Sequence, residues 1–66
     1  KELKILLKLA LKSLEEKEAL IIQLYFVEEL NIYEISEVMD ISTGRVSQIK
    51  TNAIKKIRSY ISNKLD

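Results

Sequence analysis

The sequence contains no Cys, no His and no Pro, and it has a single Gly among 66 residues. Without Cys the chain forms no disulfide, zinc finger or thiol nucleophile, and without His it lacks the usual general base and the commonest metal ligand. The acidic residues do not form a loop of the EF-hand type, and no Gly-rich phosphate-binding loop is present. We therefore predict a protein that is not an enzyme and that uses no metal or other cofactor.

Long apolar runs are also missing. Lys4, Lys8 and Lys12 interrupt the apolar N-terminal stretch at helical spacing, whereas a membrane span or a signal peptide needs an unbroken apolar run. The chain begins with Lys1 instead of Met, which indicates a fragment of a longer protein. We expect no membrane partner.

What is present is an aliphatic sequence without the strict alternation of a β-strand. We predict one all-α domain over residues 1–66, a small four-helix domain containing a helix-turn-helix at about 31–60. The predicted helices run from Glu2 to Lys12, from Leu14 to Val27, from Ile32 to Met39, and from Thr43 to near the end. Ser13 with Glu16 and Asn31 with Glu34 fit capping boxes for the second and third helices.

The apolar periodicity predicts which face of each helix is buried. In chain order the predicted inward residues are Leu3, Leu6, Leu7, Ala10, Leu14, Leu20, Ile21, Leu24, Val27, Ile35, Val38, Met39, Val46, Ile49, Ala53, Ile57 and either Tyr60 or Ile61. Ile22, Tyr25 and Phe26 form a second apolar flank, of which we assign Tyr25 and Phe26 to the core instead of to a binding role. The first helix has more apolar surface than so small a bundle needs, so it is either deeply enclosed or partly covered by a partner.

The segment between residues 31 and 49 has the pattern of a DNA-binding helix-turn-helix. Two short amphipathic helices are joined by three residues that begin with Asp40, which tolerates a left-handed backbone, and end with Ser42, which is a good N-cap. Such a turn places the second helix where it can enter a major groove. A simple helical hairpin would show the same periodicity.

Charge is divided unevenly along the chain. Residues 1–12 carry four Lys and one Glu, residues 13–42 one Lys and eight acidic residues, and residues 43–66 six basic residues and one Asp. We assign the acidic run from Glu15 to Glu18 to a solvated helix face and the basic last third to phosphate contact. With so small a net charge, we expect weak DNA binding unless a partner adds affinity.

The start of the last helix is short-chained and hydrogen-bonding instead of rich in Glu–Lys pairs. Gln48 is able to pair with adenine through two hydrogen bonds, and Thr43 is able to contact a thymine methyl group. Only Arg45 offers the fork that fits guanine. The pattern therefore favours an A·T-rich site.

The run from Ser13 to Arg58 resembles the C-terminal promoter-recognition domain, region 4, of bacterial sigma factors, and is most similar to the flagellar type. The similarity is carried by IIQLYFVEELNIYEI before the turn and RVSQIKTNAIKKIR after it. It covers about two thirds of the chain. Generic helix-turn-helix activators share the turn pattern but not these two blocks together.

The resemblance implies a cytoplasmic bacterial protein that binds the −35 promoter element as part of RNA polymerase holoenzyme and docks on the flap of the β subunit. The flap surface would be a groove formed by the first three helices and the rear of the fourth. The implied base-edge contacts are Thr43, Gly44, Ser47 and Gln48; Arg45 would contact a base or phosphate, and Lys50, Thr51 and Asn52 the backbone. Ile32 and Tyr33 would meet a phosphate through backbone amides, and Ser42 completes the predicted DNA-binding set.

Two other functions remain open at this point. In the first, the domain is mainly a protein-docking module held by an anti-sigma factor or by the flap, with little free DNA binding; the apolar surplus of the first helix favours it. In the second, the chain is an activator with a similar motif, which predicts DNA binding by a self-sufficient dimer. The family often has Pro where this chain has Glu15 and Gly where it has Asp40, and neither difference changes the implied function.

Overall fold

A computed structural model describes residues 2–65, and all the regular structure within them is helical. The helices are α1 (Glu2–Lys12), α2 (Glu16–Ile22), α3 (Ile32–Met39) and α4 (Thr43–Leu65), and α2 runs directly into a π-helical turn over Gln23–Val27. The predicted all-α class, the four helices and the bounds of α1 and α3 are confirmed. None of the helices described is long and apolar enough to cross a bilayer.

The start of α2 differs from the prediction. Ser13 does not cap α2, because its hydroxyl donates a 2.6 Å hydrogen bond to the Ala10 carbonyl at the end of α1. Glu15 holds the N-cap position instead, and its backbone N–H donates to the Glu18 carboxylate at 3.0 Å. The predicted capping box was therefore placed two residues too early, since a serine serves a helix end as well as a helix start.

The core consists of two clusters that meet at neighbouring residues of α2. Ile21 packs with Ile35, Val46 and Ile49, which joins α2 to α3 and to the first half of α4. Ile22 packs in the second cluster with Leu14 and Ala53, which joins α2 to the α1 junction and the middle of α4. Helix α4 thus contacts each of the other helices along its length, as predicted for its rear half against α1 and α2.

The predicted inner stripe of the second helix is partly wrong. Leu20 and Val27 are exposed, while Ile22, assigned to the flank, is buried. Phe26, assigned to the core, is 56% exposed, whereas Tyr25 is half-buried and packs on the first cluster. The π-helical turn explains the exposures from Tyr25 to Val27. In this turn each hydrogen bond spans five residues instead of four, as from the Glu28 N–H to the Gln23 carbonyl at 3.1 Å, and the 3.6-residue period is interrupted.

Helix α1 buries little of its apolar surface. Of the predicted stripe, Ala10 and Leu14 are buried, whereas Leu3 and Leu7 are exposed. Ile5 and Leu9, on its other faces, are exposed as well. Deep enclosure of α1, one of the two alternatives, is therefore wrong within the described fold.

The start of α3 follows the sequence closely, whereas the link between α2 and α3 does not. Glu29 has a left-handed backbone, with φ 59°, which the pattern did not predict. Asn31 caps α3 as predicted: its side chain accepts from Glu34 N–H at 2.8 Å, and its own N–H donates to the Glu34 carboxylate at 2.9 Å. Val38 was predicted inside and is 62% exposed, so α3 buries a narrower face, centred on Ile35.

Candidate nucleic-acid interface

The turn between α3 and α4 has the geometry of a tight helix-turn-helix. Asp40 ends α3 with a left-handed backbone (φ 57°, ψ 46°), as predicted. The Ile41 N–H donates to the Ser36 carbonyl at 3.1 Å. The Ser42 hydroxyl accepts from Arg45 N–H at 3.1 Å, which confirms Ser42 as the N-cap of α4. Three residues therefore connect the two helices, and local hydrogen bonds hold both sides of the turn.

Buried aliphatic side chains fix the angle between the two motif helices. Ile35 of α3 and Val46 of α4 are fully buried against each other and against Ile21. Ile41 in the turn and Ile32 at the start of α3 pack on the same cluster. Because cores of this kind are close-packed, the first turns of α4 have a defined orientation relative to α3.

The residues of α4 that were predicted to contact bases or the DNA backbone lie together at its start. Gly44, Arg45, Gln48, Thr51 and Asn52 are exposed, and their spacing of three and four residues gives them one solvent-facing side of the helix. Ser42 is exposed as well; Thr43, Ser47 and Lys50 are half-buried and border this side. The surface that results is polar and free of acidic groups from Thr43 to Asn52.

The two residues of α3 that were predicted to contact DNA differ in how far their side chains are exposed. The Ile32 side chain packs on the core, so only its backbone is left for a phosphate, which is the role predicted for it. Tyr33, next to it, is exposed. Both occupy the first turn of α3, where backbone N–H groups lack partners within the helix and attract anions.

Gly44 has no conformational or packing reason to be a glycine within the described fold. Its φ is not positive, and a Cβ atom built on it would meet nothing within 4 Å. A glycine inside a helix costs about 1 kcal/mol relative to alanine. The open space above its backbone is available to an external partner that approaches closely.

The contact of Lys50 with an aromatic ring could not be predicted from the sequence. Lys50 Nζ lies 4.2 Å from the centroid of the Tyr25 ring, and Tyr25 in turn meets Phe26 edge to face at 4.9 Å. A cation above an aromatic face is held in place by the quadrupole of the ring. Lys50 is thereby positioned at the border of the polar surface, beside the residues predicted to follow the DNA backbone.

Lys56 and Glu18 correct the charge assignment. Glu18, predicted to lie on a solvated face, is only 8% exposed, and its carboxylate pairs with Lys56 Nζ at 2.9 Å. The hydrogen bond from Lys56, followed by the one from the Glu15 N–H, lowers the pKa of the Glu18 carboxyl group, although burial opposes this shift. Lys56 is therefore paired with a residue of α2. Fewer cations of α4 are left to contact phosphate than the sequence indicates.

An apolar groove opens between α1, α2 with its π-helical turn, and the rear of α4. It has a volume of about 600 Å³. Its lining comprises Leu7, Leu11, Ala19, Ile22, Gln23, Phe26, Val27, Ile54 and Ile57. The sequence predicted such a groove with a contribution from the third helix; α3 lines none of it, because α3 packs on the opposite cluster. Among the described residues, no group of three acidic side chains is placed to hold a metal ion.

Comparisons with known proteins agree with this geometry. The family model described as "Sigma-70, region 4" matches residues 10–59. The chain is 46% identical over 52 residues to the RNA polymerase sigma factor FliA of Salmonella typhimurium, covering 79% of this chain and 22% of that protein. It is 41% identical over 54 residues to FliA of Yersinia enterocolitica, covering 82% and 24%.

A relative with a different name is similar to the same degree. The RNA polymerase sigma-D factor of Bacillus subtilis is 41% identical over 49 residues, which cover 74% of this chain and 19% of that protein. The chain thus spans a quarter or less of the length of these relatives. No solved structure matches the chain significantly.

Proposed function

The chain belongs to the sigma-70 region 4 family, as the promoter-recognition domain of a flagellar-type sigma factor, and we propose that it binds the −35 element of its promoters. In this proposal residues 1–66 act as one domain of RNA polymerase holoenzyme in transcription initiation at flagellar-type genes. The observation that carries it is the exposed polar start of α4, held at a fixed angle by Ile35 and Val46. A core-anchored helix of this kind is what a major groove accommodates.

The roles of the individual residues follow from their positions on this surface. Thr43, Gly44, Ser47 and Gln48 face base edges, and Arg45 contacts a base or phosphate. Lys50, Thr51 and Asn52 follow the backbone of the DNA, while Ser42 and the first turn of α3, at Ile32 and Tyr33, meet phosphates. Gln48 and Thr43 suit adenine and thymine, so the proposed element is rich in A·T pairs.

The charge of the described chain supports a weak affinity of the isolated domain for DNA. From Thr43 to Lys64 the chain has six basic and no acidic residues, but Lys56 is paired with Glu18. Phosphate contacts supply most non-specific DNA affinity, and their number sets its salt dependence. With few free cations and one reading helix, the domain depends on the polymerase to supply additional affinity.

The apolar groove supports a second, compatible role in protein docking. Phe26 and Val27 line it and are 56% and 68% exposed, and apolar surface of this extent on a small domain marks an interaction site. We propose that the flap of the RNA polymerase β subunit binds there, and that an anti-sigma factor acts by covering the same groove. A helix with an apolar face is the partner that such a groove accepts.

Amide NMR spectra of the labelled chain, recorded during addition of a short A·T-rich upstream duplex, test the DNA proposal. A scrambled duplex of equal length and composition is the control. We expect shifts confined to residues 32–33 and 42–52, larger with the upstream element than with the scrambled one. Equal shifts with both duplexes, or shifts centred on α1, would contradict sequence-specific binding by this surface.

A pair of matched valine substitutions tests the docking proposal. Val27 and Val38 are both exposed, at 68% and 62%, but only Val27 lines the groove. We expect Val27→Gln to weaken binding of the isolated β-flap segment and Val38→Gln to leave it unchanged. Equal affinities for the two variants would place the flap elsewhere on the domain.

A further inference from the structure

Arg45 and Gln48 are hydrogen-bonded to each other on the polar surface of α4. Arg45 Nη1 donates to Gln48 Oε1 at 2.7 Å, and both side chains are exposed. They are the longest side chains in the first two turns of the helix, and a separation of three residues gives them the same face. The two groups best able to reach a base edge are therefore joined before any DNA is present.

The bond fixes the direction in which the Gln48 carboxamide faces. A free carboxamide has two opposite orientations, in which its oxygen and its NH₂ group exchange places, and these present opposite orders of donor and acceptor to a base. Because Oε1 faces Arg45, the carboxamide presents its acceptor and its donor to a base in one of these two orders only. The Oε1 atom retains a second lone pair, and the Nε2 donors are not used by this bond, so the carboxamide is still able to pair with adenine at N6 and N7.

We propose that Arg45 is a positioning residue for base recognition, which holds the Gln48 carboxamide in the orientation that recognises adenine. This rests on the proposed function, in which the start of α4 enters the major groove. An oriented side chain loses less conformational freedom on binding than a free one. Because both residues are exposed, the bond between them contributes little to folding, and its effect is on recognition.

The test is a double-mutant cycle measured on base preference. Holoenzyme that contains this chain within its sigma factor binds a promoter duplex. Competitor duplexes, in which each base pair of the upstream element is changed in turn, measure its base preference. The proteins are the wild type, Gln48→Ala, Arg45→Ala, Arg45→Lys and the double alanine variant. Thermal melts of the corresponding chains check that folding is unchanged.

We expect Gln48→Ala to lose a preference of roughly 5- to 150-fold at one A·T pair, the range for a good two-bond contact. Arg45→Ala should lose most of the preference at that same pair and cause no further loss there once Gln48 is absent. Arg45→Lys retains the charge and therefore the salt dependence, but a flexible ammonium group does not fix the carboxamide plane. It should therefore lose most of the preference too.

Three results would overturn the inference while leaving the proposed function intact. These are an unchanged preference in Arg45→Ala, losses at different base pairs that add in the double variant, and full preference in Arg45→Lys. The first two would mean that Arg45 acts separately from Gln48, and the third that only its charge matters. A wild-type holoenzyme without any base preference in the upstream element would instead overturn the proposed function, and the inference with it.

Discussion

Lys56 Nζ lies 2.9 Å from Glu18 Oε2 and 3.1 Å from Glu18 Oε1, and this pair joins α2 to α4 across 38 positions of the sequence. The carboxylate is nearly buried and the ammonium group is half-exposed. Glu18 also accepts the hydrogen bond from the Glu15 N–H that begins α2. One side chain therefore both starts a helix and attaches it to the helix that carries the proposed DNA-binding surface.

Acid should weaken the fold through Glu18. Its pKa in the folded chain lies below the ordinary value of 4.5, first because of the hydrogen bond from Lys56. Its contribution to the free energy of unfolding is therefore fully present above that value and is lost as the pH falls through the lower, folded pKa. Urea denaturation at neutral pH and at successively more acidic pH should show wild type losing stability in that range.

Glu18→Gln isolates the charge, because Gln is still able to accept the capping hydrogen bond. At neutral pH we expect it to be about 1 kcal/mol less stable than wild type, a value reduced by the solvent exposure of Lys56. The difference should shrink on acidification. The control is Glu37→Gln, which changes an exposed carboxylate on α3. If it matched Glu18→Gln at every pH, the pair of Glu18 and Lys56 would have no special role.

Val46→Asp should unfold or loosen the domain. Val46 is fully buried between α3 and α4, and a carboxylate there has no partner to replace water. We expect a loss of at least about 3 kcal/mol, seen as collapse of the thermal transition in circular dichroism. Val38→Asp, at an exposed valine on α3, should melt close to wild type. Similar melts for the two variants would mean that the motif core lies elsewhere.

Gly44→Ala should change stability and DNA binding in opposite directions. The added methyl group meets nothing within 4 Å, so the gain in helix propensity should stabilise the fold by about 0.5–1 kcal/mol. If DNA approaches this backbone closely, affinity for the upstream duplex should fall. Ser59→Ala, exposed on the rear half of α4, should leave affinity unchanged. Unchanged affinity in Gly44→Ala would exclude close approach at this position.

Lys50→Ala and Lys55→Ala should weaken binding to every DNA sequence alike. Each phosphate contact that is lost should reduce the slope of log affinity against log salt by about 1. Lys17→Ala, which removes an exposed lysine from α2, should leave the slope as it is. A loss confined to one sequence would mean that the lysine contacts a base instead of a phosphate.

Asp40→Gly should stabilise the turn. Asp40 has φ 57°, a conformation that costs a residue with a side chain roughly 1 kcal/mol more than glycine. Chemical denaturation should show Asp40→Gly more stable than wild type and Asp40→Ala less stable than either. The reverse order would indicate that the Asp40 side chain itself stabilises the turn.

The motif was predictable because its signals are local. Asn31 with Glu34, Asp40, and Ser42 each act on backbone groups within four residues, so their roles follow from the neighbouring letters alone. Ser13 misled for the same reason, because a serine between two helices is able to serve either one. Only the folded chain shows that its hydroxyl bonds to the Ala10 carbonyl of α1. One exposed side of α4 carries five of the residues predicted for DNA contact, Gly44, Arg45, Gln48, Thr51 and Asn52. Their contacts with DNA stay predictions.

The sequence by itself determined an all-α chain, the bounds of α1 and α3, the turn and the polar start of α4. These depend on propensities, caps and periodicity within a few residues. The tertiary structure alone decided that Phe26, Val27 and Val38 face outward, that Glu18 pairs with Lys56, and that Lys50 lies over Tyr25. Such contacts depend on how far each helix is rotated when it packs, and that rotation is set jointly by all the helices instead of by any one segment.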